Sequence, residues 1–254
     1  MRYFLSFSYN GLNYHGWQIQ KNANSVQEVI EDALSNILRL KVKLTGAGRT
    51  DTGVHAKLMV AHFDAQISNE LENNLLYLLN KYLSNDIYFF GLKKVIKNAH
   101  ARFDAISRSY EYHINFTKNP FSQGFTYHFN DSLDVKLMNI ASEELKAYSD
   151  FQAFSKSNSG VKTYICDINL AEWSILGNGL IFRIKANRFL RNMVRSIVGT
   201  LLDVGLKKLT LKEFSDIIES KNRNNAGFSA PAHGLFLTEI EYPNSIFINE
   251  SIKK

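Results

Sequence analysis

Hydrophobic and polar positions alternate from the first residues of the chain. Tyr3, Leu5, Phe7 and Tyr9 fall on one side of that alternation, which predicts a strand over residues 2–9. Asn10-Gly11 and the stretch from Asn13 to Gly16 predict a turn-rich loop. The period changes at Ser25. Val26, Val29, Ile30, Ala33, Leu34, Ile37 and Leu38 recur at helical spacing, behind a capping-box sequence, Ser25-Val26-Gln27-Glu28. A short strand is expected near residues 42–45, then a glycine-rich loop, then a strand to about Asp64. Leu71, Leu75, Leu78, Leu79 and Tyr82 predict a helix over 69–83, and a strand follows from about Ile87 to Val95. Residues 97–107 show neither period, so a domain boundary is expected there, dividing the chain into halves 1–105 and 106–254.

The second half opens on another alternating run, with Tyr110, Tyr112, Ile114 and Phe116 on one face. A helix is expected over 134–146. Two strands, about 162–175 and 180–186, flank Gly177-Asn178-Gly179, a good hairpin turn. The spacing then predicts a helix from about Arg188 to Val204, with Gly205 placed to end it. Thr210-Leu211-Lys212-Glu213 is a second capping box, opening a helix to about Ser220. A last strand covers about Leu235 to Tyr242, and the end, Lys253-Lys254, is expected to fray. The element order is β-α-β-β-α-β followed by β-α-β-β-α-α-β. That order predicts an α+β fold of mainly antiparallel mixed sheets with packed helices, in two similar α/β halves. The similarity rests on element order, since no residue-level repeat is visible.

Composition narrows the class. A chain of 254 residues that is 45% hydrophobic and 13% aromatic can bury a substantial core. Lys and Arg total 30 against 24 Asp and Glu, a net charge of +6. That sign favours an anionic partner, nucleic acid first and an acidic membrane surface second. Cys166 is the one cysteine, so no intrachain disulfide is available, and a reducing, cytoplasmic setting fits. Cys166 sits in an alternating run and reads as a small core residue. No apolar run reaches the roughly 18 residues of a transmembrane helix. Polar residues interrupt Met1-Arg2-Tyr3-Phe4-Leu5-Ser6 before a signal-peptide core develops.

Chemistry concentrates in Gly46-Ala47-Gly48-Arg49-Thr50-Asp51-Thr52-Gly53-Val54-His55-Ala56. Its glycines permit a sharp turn and a close approach by another molecule. One arginine, one carboxylate and one histidine stand in that turn, just before a predicted strand. A scaffold of this kind can hold a reactive side chain, and the same composition also makes ordinary turns. Arg39, Lys41, Lys43, Arg49 and Lys57 surround the loop, with only Asp51 opposing. Such a field favours an ionised carboxylate. This suits a nucleophile and a structural Asp–Arg pair alike.

A second basic region runs from Arg183 to Lys212, with eight basic residues and one acid, Asp203. Within the helix expected there, Arg188, Arg191 and Arg195 are spaced i, i+3, i+7 and line one face. The remaining faces are apolar. A solvated charged face is one reading. Arginines on an apolar helix also invite anions, either phosphate or the carboxylate of Asp51. Metal binding is not supported, because the seven histidines show no ligand spacing. No phosphate-binding glycine motif follows a strand.

The motif Gly48-Arg49-Thr50-Asp51-Thr52-Gly53-Val54-His55-Ala56 resembles the catalytic segment of the TruA family of tRNA pseudouridine synthases. Tyr14-His15-Gly16-Trp17-Gln18 with Ser25-Val26-Gln27 looks like that family's N-terminal segment. Ala101-Arg102-Phe103-Asp104-Ala105 with Arg108-Ser109-Tyr110-Glu111-Tyr112 is similar to its tyrosine motif, and Asp150-Phe151 with Phe154-Ser155-Lys156 to a further segment. Phe189-Leu190-Arg191-Asn192-Met193-Val194-Arg195 with Gly199 resembles its basic motif, and Gly234-Leu235-Phe236-Leu237 its C-terminal motif. One departure is Leu83-Ser84-Asn85, where the family commonly has a proline after the leucine.

The resemblance implies a pseudouridine synthase-like fold and an isomerase that converts uridine to pseudouridine at positions 38 to 40 of the tRNA anticodon stem-loop. It implies no cofactor and no metal, and a homodimer sharing one tRNA. It makes Asp51 the nucleophile and Arg195 its ion-pair partner. Tyr110 would stack on the uracil, Leu235 would line the pocket, and Arg49 would fill the gap left by a flipped base or hold phosphate. Apart from the resemblance, the basic stripe itself would set Arg188 and Arg191 against phosphates.

Two other classes compete. Asp51-Thr52-Gly53 is the aspartic protease tripeptide, but those enzymes place it directly after an apolar strand, and here Gly48-Arg49-Thr50 precedes it. A positive field also opposes the protonated carboxyl that a protease dyad needs. An RNA-binding module without chemistry would use the same basic and aromatic residues, and would have no need of Asp51.

Overall fold

The structure is a computed structural model that describes residues 1–157 and 160–248. The chain divides into two compact units. One is Met1–Ile106 together with the residues from Leu237 onward, and the other is Ser107–Phe236. The C-terminal strand therefore ends in the unit that the N-terminus begins.

In the first unit, β1 (Arg2–Tyr9) is flanked on both sides. β3 (His55–Asp64) and β4 (Ile87–Val95) each pair with it antiparallel. β2 is only Thr45–Gly46 and pairs with β3 at His62 and Ala61. The strand expected at 42–45 thus shrinks and shifts, because the Leu44 amide is taken by the Glu31 carboxylate at 2.9 Å instead of by a neighbouring strand. An irregularity between Phe7 and Tyr9 brings Tyr9 opposite Ala56, at the point where β3 leaves the glycine loop. Phe7 lies 5.5 Å from Phe89 and 5.7 Å from Trp17, ring to ring, and is fully buried.

Helix α1 (Val26–Leu38) buries Val26, Ile30, Ala33, Leu34 and Leu38, the apolar stripe read from the sequence. Its N-cap is Ser25, whose hydroxyl accepts from the Glu28 amide, the serine half of the expected box. Helix α2 (Asn69–Tyr82) buries Leu75 and Leu79, and its Asn80 amide group bonds both the N–H and the C=O of Phe89, each at 2.8 Å.

The second unit holds β5 (Ser107–Asn115), β7 (Ile168–Leu176) and β8 (Gly179–Ala186), with β8 antiparallel to both others. The turn at 177–179 makes the expected hairpin. β7 starts later than the pattern predicts, since residues 162–167 are irregular and Cys166 is buried ahead of the strand. Burial pushes the Cys166 thiol up to about 11, against a smaller opposing effect of Arg188, so it stays protonated at neutral pH. Between β5 and α3 the two-residue strand β6 (Tyr127–His128) pairs in parallel with β5. Nothing in the sequence pattern announced it.

Helix α3 (Val135–Glu144) packs beside α4 (Met193–Gly205) and α5 (Leu211–Glu219), and Thr210 with Glu213 forms the complete reciprocal box. β9 (Leu235–Glu241) is the last strand among the described residues. The expected fraying at Lys253-Lys254 lies outside the described residues. The architecture is α+β with mainly antiparallel pairing. The likeness of the two halves remains a matter of element order, and β6 breaks it.

Candidate active site

The glycine loop is held by the segment between β1 and α1. The Thr50 carbonyl accepts from the Trp17 amide at 3.2 Å, and the Asp51 carbonyl from the Val54 amide at 3.1 Å. Gly53 takes φ +78°, which closes the turn after Asp51. Gly16, at φ +85°, lies so close that a Cβ there would stand 2.4 Å from the Thr50 carbonyl oxygen and 3.1 Å from the Asp51 carbonyl carbon. A Cβ on Gly11 would meet the Val54 carbonyl oxygen at 2.0 Å. The Gly11 amide donates to Nδ1 of the buried His55 at 3.1 Å, so that nitrogen carries no proton. The Thr50 side chain is buried and shares a 2.8 Å hydrogen bond with the Tyr9 hydroxyl. The backbone on both sides of Asp51 is thereby pinned, while Asp51 itself is half-buried and Arg49 is exposed.

The basic residues around this loop are less unopposed than the sequence suggests. The Glu31 carboxylate, 5% exposed, accepts from Lys43 Nζ at 3.1 Å, from Gln27 Nε2 at 2.9 Å and from the Leu44 amide. Asp51 is therefore not the only acid facing the cluster. Glu31 escaped notice because it lies on α1, outside the stretch of chain that carries the lysines.

In the second unit the expected arginine stripe is corrected. The helix starts at Met193, and Arg188 and Arg191 lie in the connection that precedes it. The cause is Asn192, whose φ of +65° is left-handed and stops a helix from passing through. Its side-chain amide donates to Ser196 Oγ at 2.9 Å and to Ser229 Oγ at 2.7 Å, which fixes that conformation. Gly205 does not end the helix as a left-handed residue. Lys207 has that role, at φ +59°, and Gly205 is instead a close-packing position where a Cβ would meet Met138 Sδ at 2.6 Å.

Arg195 lies in the first turns of α4. It and Asp203 are the only residues of that helix that are not buried. Its Nε donates to the Ala230 carbonyl at 2.7 Å, and the Ala230 amide donates back to the Arg195 carbonyl at 3.0 Å. The segment before Ala230 lies tight on the same helix, since a Cβ on Gly199 would stand 1.8 Å from the Phe228 carbonyl oxygen. Arg195 is thus aimed by a strap of backbone.

Tyr110 is half-buried on β5, edge-on to Phe189 at 5.1 Å, whereas Tyr112 is fully buried and donates to the Pro231 carbonyl at 2.8 Å. The two tyrosines thus differ: Tyr112 is the core residue and Tyr110 the accessible one. Burial raises the Tyr112 hydroxyl pKa far above the usual tyrosine range. Leu235 is buried at the start of β9. Arg188 is half-buried and Arg191 exposed.

No group of three or more histidine, cysteine or acidic residues able to hold a metal is present among the described residues. No helix among them is long and apolar enough to cross a membrane. Sequence reasoning missed Tyr9, Gly11 and Gly16 as supports of the loop, and Asn192, Ser229 and Ala230 as supports of Arg195. The family-like segment around Gly16 marked the place without giving its task.

Comparison with known proteins follows the same residues. The family model described as tRNA pseudouridine synthase matches residues 5–104 and 141–243. A tRNA pseudouridine synthase A of Azobacteroides pseudotrichonymphae is 52% identical over 98% of this chain and 99% of its own length. One from Bacteroides thetaiotaomicron is 49% identical over 99% of this chain and 94% of its own. One from Bacillus pumilus is 37% identical over 96% of this chain and 100% of its own. With the family model spanning both the Asp51 loop and the Arg195 helix, the chain belongs to the tRNA pseudouridine synthase family of isomerases.

Proposed function

We propose that this chain converts uridine to pseudouridine at positions 38 to 40 of the tRNA anticodon stem-loop, with Asp51 as the nucleophile. The supporting observation is the glycine loop. It holds one carboxylate on a backbone pinned at Thr50, Asp51 and Val54. A nucleophile gains rate from such fixed placement, because the orientation entropy is lost on folding instead of at each turnover.

The reaction breaks the N1–C1′ glycosidic bond, turns the uracil while it stays bound, and forms C5–C1′. Substrate and product have the same atoms, and no electrons enter or leave, so the chemistry calls for no redox cofactor. Asp51 forms the transient bond to the nucleoside. Arg195, oriented through Ala230, is the cation that pairs with the Asp51 carboxylate in this reading. Tyr110 offers a half-exposed ring as a platform for the detached uracil. Leu235 lines the pocket. Arg49, Arg188 and Arg191 meet the RNA, with Arg49 filling the place of the flipped base or holding phosphate. The family resemblance adds a homodimer sharing one tRNA, and the single cysteine fits a cytoplasmic setting.

The test is incubation with unmodified tRNA and mapping of pseudouridine by position, for wild type and Asp51→Asn. Wild type is expected to modify positions 38 to 40. Asp51→Asn is expected to lose turnover by at least about a thousandfold and to keep tRNA binding. Product from the Asn variant at the wild-type rate removes Asp51 from the chemistry, and modification elsewhere in the tRNA removes the anticodon assignment.

A further inference from the structure

We propose that Tyr9 is a positioning residue for the isomerisation, acting on Asp51 through the hydroxyl of Thr50. The inference rests on the reading of Asp51 as nucleophile and goes beyond it by naming what aims the carboxylate. Tyr9 closes β1 and is 4% exposed. Its ring lies 6.3 Å from the fully buried Phe7 ring, which in turn packs on Phe89 and Trp17. That ring is anchored in the aromatic core of the first unit. Its hydroxyl meets Oγ1 of Thr50, the residue next to Asp51, at 2.8 Å.

Backbone contacts around the loop do not supply what this bond supplies. Trp17 N–H holds the Thr50 carbonyl, and Val54 N–H holds the Asp51 carbonyl. Those two bonds fix the ends of peptide units. Rotation of the Thr50 side chain and tilt of the Thr50–Asp51 peptide toward the core are opposed by the Tyr9 bond. The bond is buried, so water does not replace it readily when it is broken. The extra residue of the irregularity lies on β3, where Lys57 and Leu58 stand against Ser8, so Tyr9 pairs with Ala56, near the start of the strand that follows the loop. In an unbroken register Tyr9 would stand opposite Lys57. The bulge, the anchored ring and the buried Tyr9–Thr50 pair together form a device that transmits the rigidity of the core to the carboxylate.

The experiment compares Tyr9→Phe, Thr50→Val, Thr50→Ser and the double variant Tyr9→Phe/Thr50→Val by single-turnover and steady-state assays on unmodified tRNA. Melting of each protein is measured alongside. Tyr9→Phe keeps the packed ring and removes only the hydroxyl. It is expected to lower kcat by about 10- to 100-fold with KM within about twofold. Thr50→Val is expected to fall as far, and Thr50→Ser to recover most of that loss. The double variant is expected to be no slower than the slower single, since both remove one bond.

A Tyr9→Phe variant that melts lower but turns over at the wild-type kcat makes Tyr9 a purely structural residue and overturns the proposal. So does a double variant whose loss is the product of the two single losses. If Asp51→Asn retains the wild-type rate, the nucleophile reading fails first and this proposal with it. If Asp51→Asn is inactive and Tyr9→Phe is unimpaired, only the positioning role falls.

Discussion

The loop that carries Asp51 and the junction that carries Arg195 are both irregular chain leading into a regular element, β3 in one case and α4 in the other. They are stiffened by different groups. Around Asp51 the contacts are mostly backbone to backbone, made possible by Gly11 and Gly16, which let the preceding segment lie directly on the loop. Around Arg195 the backbone strap at Ala230 is joined by side-chain hydrogen bonds. Asn192 binds two serine hydroxyls, and Arg195 itself binds Ala230. The first arrangement fixes where a short side chain points. The second fixes a long one, whose stem would otherwise sample many rotamers. A nucleophilic carboxylate and a guanidinium that must reach an anion call for these two solutions respectively.

The difference is broken most severely at Gly16. Its φ of +85° suits only glycine, and a Cβ would press on the Thr50 carbonyl oxygen at 2.4 Å. Gly16→Ala is expected to destabilise by about 3 kcal/mol or more, combining backbone strain with overpacking. Thermal or urea unfolding reads this directly. Where the variant remains folded, its kcat is expected to fall as well, because the segment can relax only by moving away from Asp51. A loss below about 1 kcal/mol would show that the loop is not supported by that contact.

The side-chain-held junction predicts a graded response. Asn192→Ala loses two hydrogen bonds and places alanine in a left-handed conformation, for an expected cost of about 2–3 kcal/mol. Asn192→Gly restores the conformation without the amide and is expected to recover about 1 kcal/mol of that loss in the same unfolding measurement. Equal stabilities for the two variants would mean that the left-handed turn costs alanine nothing, and that hydrogen bonding alone sets the start of α4.

These two sites also mark what the sequence discloses. The Asp51 loop was legible because glycine spacing is a local signal and Arg49 and Asp51 stand two positions apart between the glycines. The strand after it, α1 and the 177–179 hairpin were legible for the same reason of local periodicity. The start of α4 was not. Arg188, Arg191 and Arg195 have perfect helical spacing, but spacing cannot reveal that Asn192 turns left-handed, a choice made by Ser196 and by Ser229, which lies 37 residues away. β6 is two residues long and has no period to detect. Glu31, Tyr9 and Ala230 act across long chain separations, and a stripe of apolar residues gives no information about such partners.

Acid probes a side-chain-held joint inside the first unit. His62 is buried on β3, and its Nδ1 accepts from the Ala101 amide at 3.1 Å. Burial first, then the nearby charges of Arg2 and His100, lower its pKa to about 4. The folded protein thus keeps the ring neutral where the unfolded chain would take up a proton. That stability is complete above about pH 6.5 and is lost as pH falls toward 4, with a slope of up to about 1.4 kcal/mol per pH unit. Burial also lowers His100, which adds in the same direction. The readout is therefore the difference between wild type and His62→Asn, whose side-chain oxygen keeps an acceptor that does not titrate. The variant is expected to show the shallower acid limb, and parallel limbs would exclude His62 as a source.

The smallest effect is expected at Gly48, which lies in the same motif as Asp51 and looks equivalent to Gly16 in sequence. A Cβ built on Gly48 meets nothing within 4 Å, and its φ is not in the left-handed region. Gly48→Ala therefore adds no clash and no strain, and removes some freedom from the unfolded chain. Its stability is expected to stay within about 0.5 kcal/mol of wild type. Paired with Gly16→Ala, this separates two meanings of glycine within one site. Gly16 is needed by the fold, as the surface on which the loop rests. The space above Gly48 is left open by the protein, so any requirement for glycine there arises only when RNA is bound. The expected signature is an unchanged melting temperature with a raised KM for tRNA. A fall in stability comparable to that of Gly16→Ala would instead place Gly48 among the residues that hold the loop, and would make the loop's rigidity a property of its own sequence and not of the segment packed beneath it.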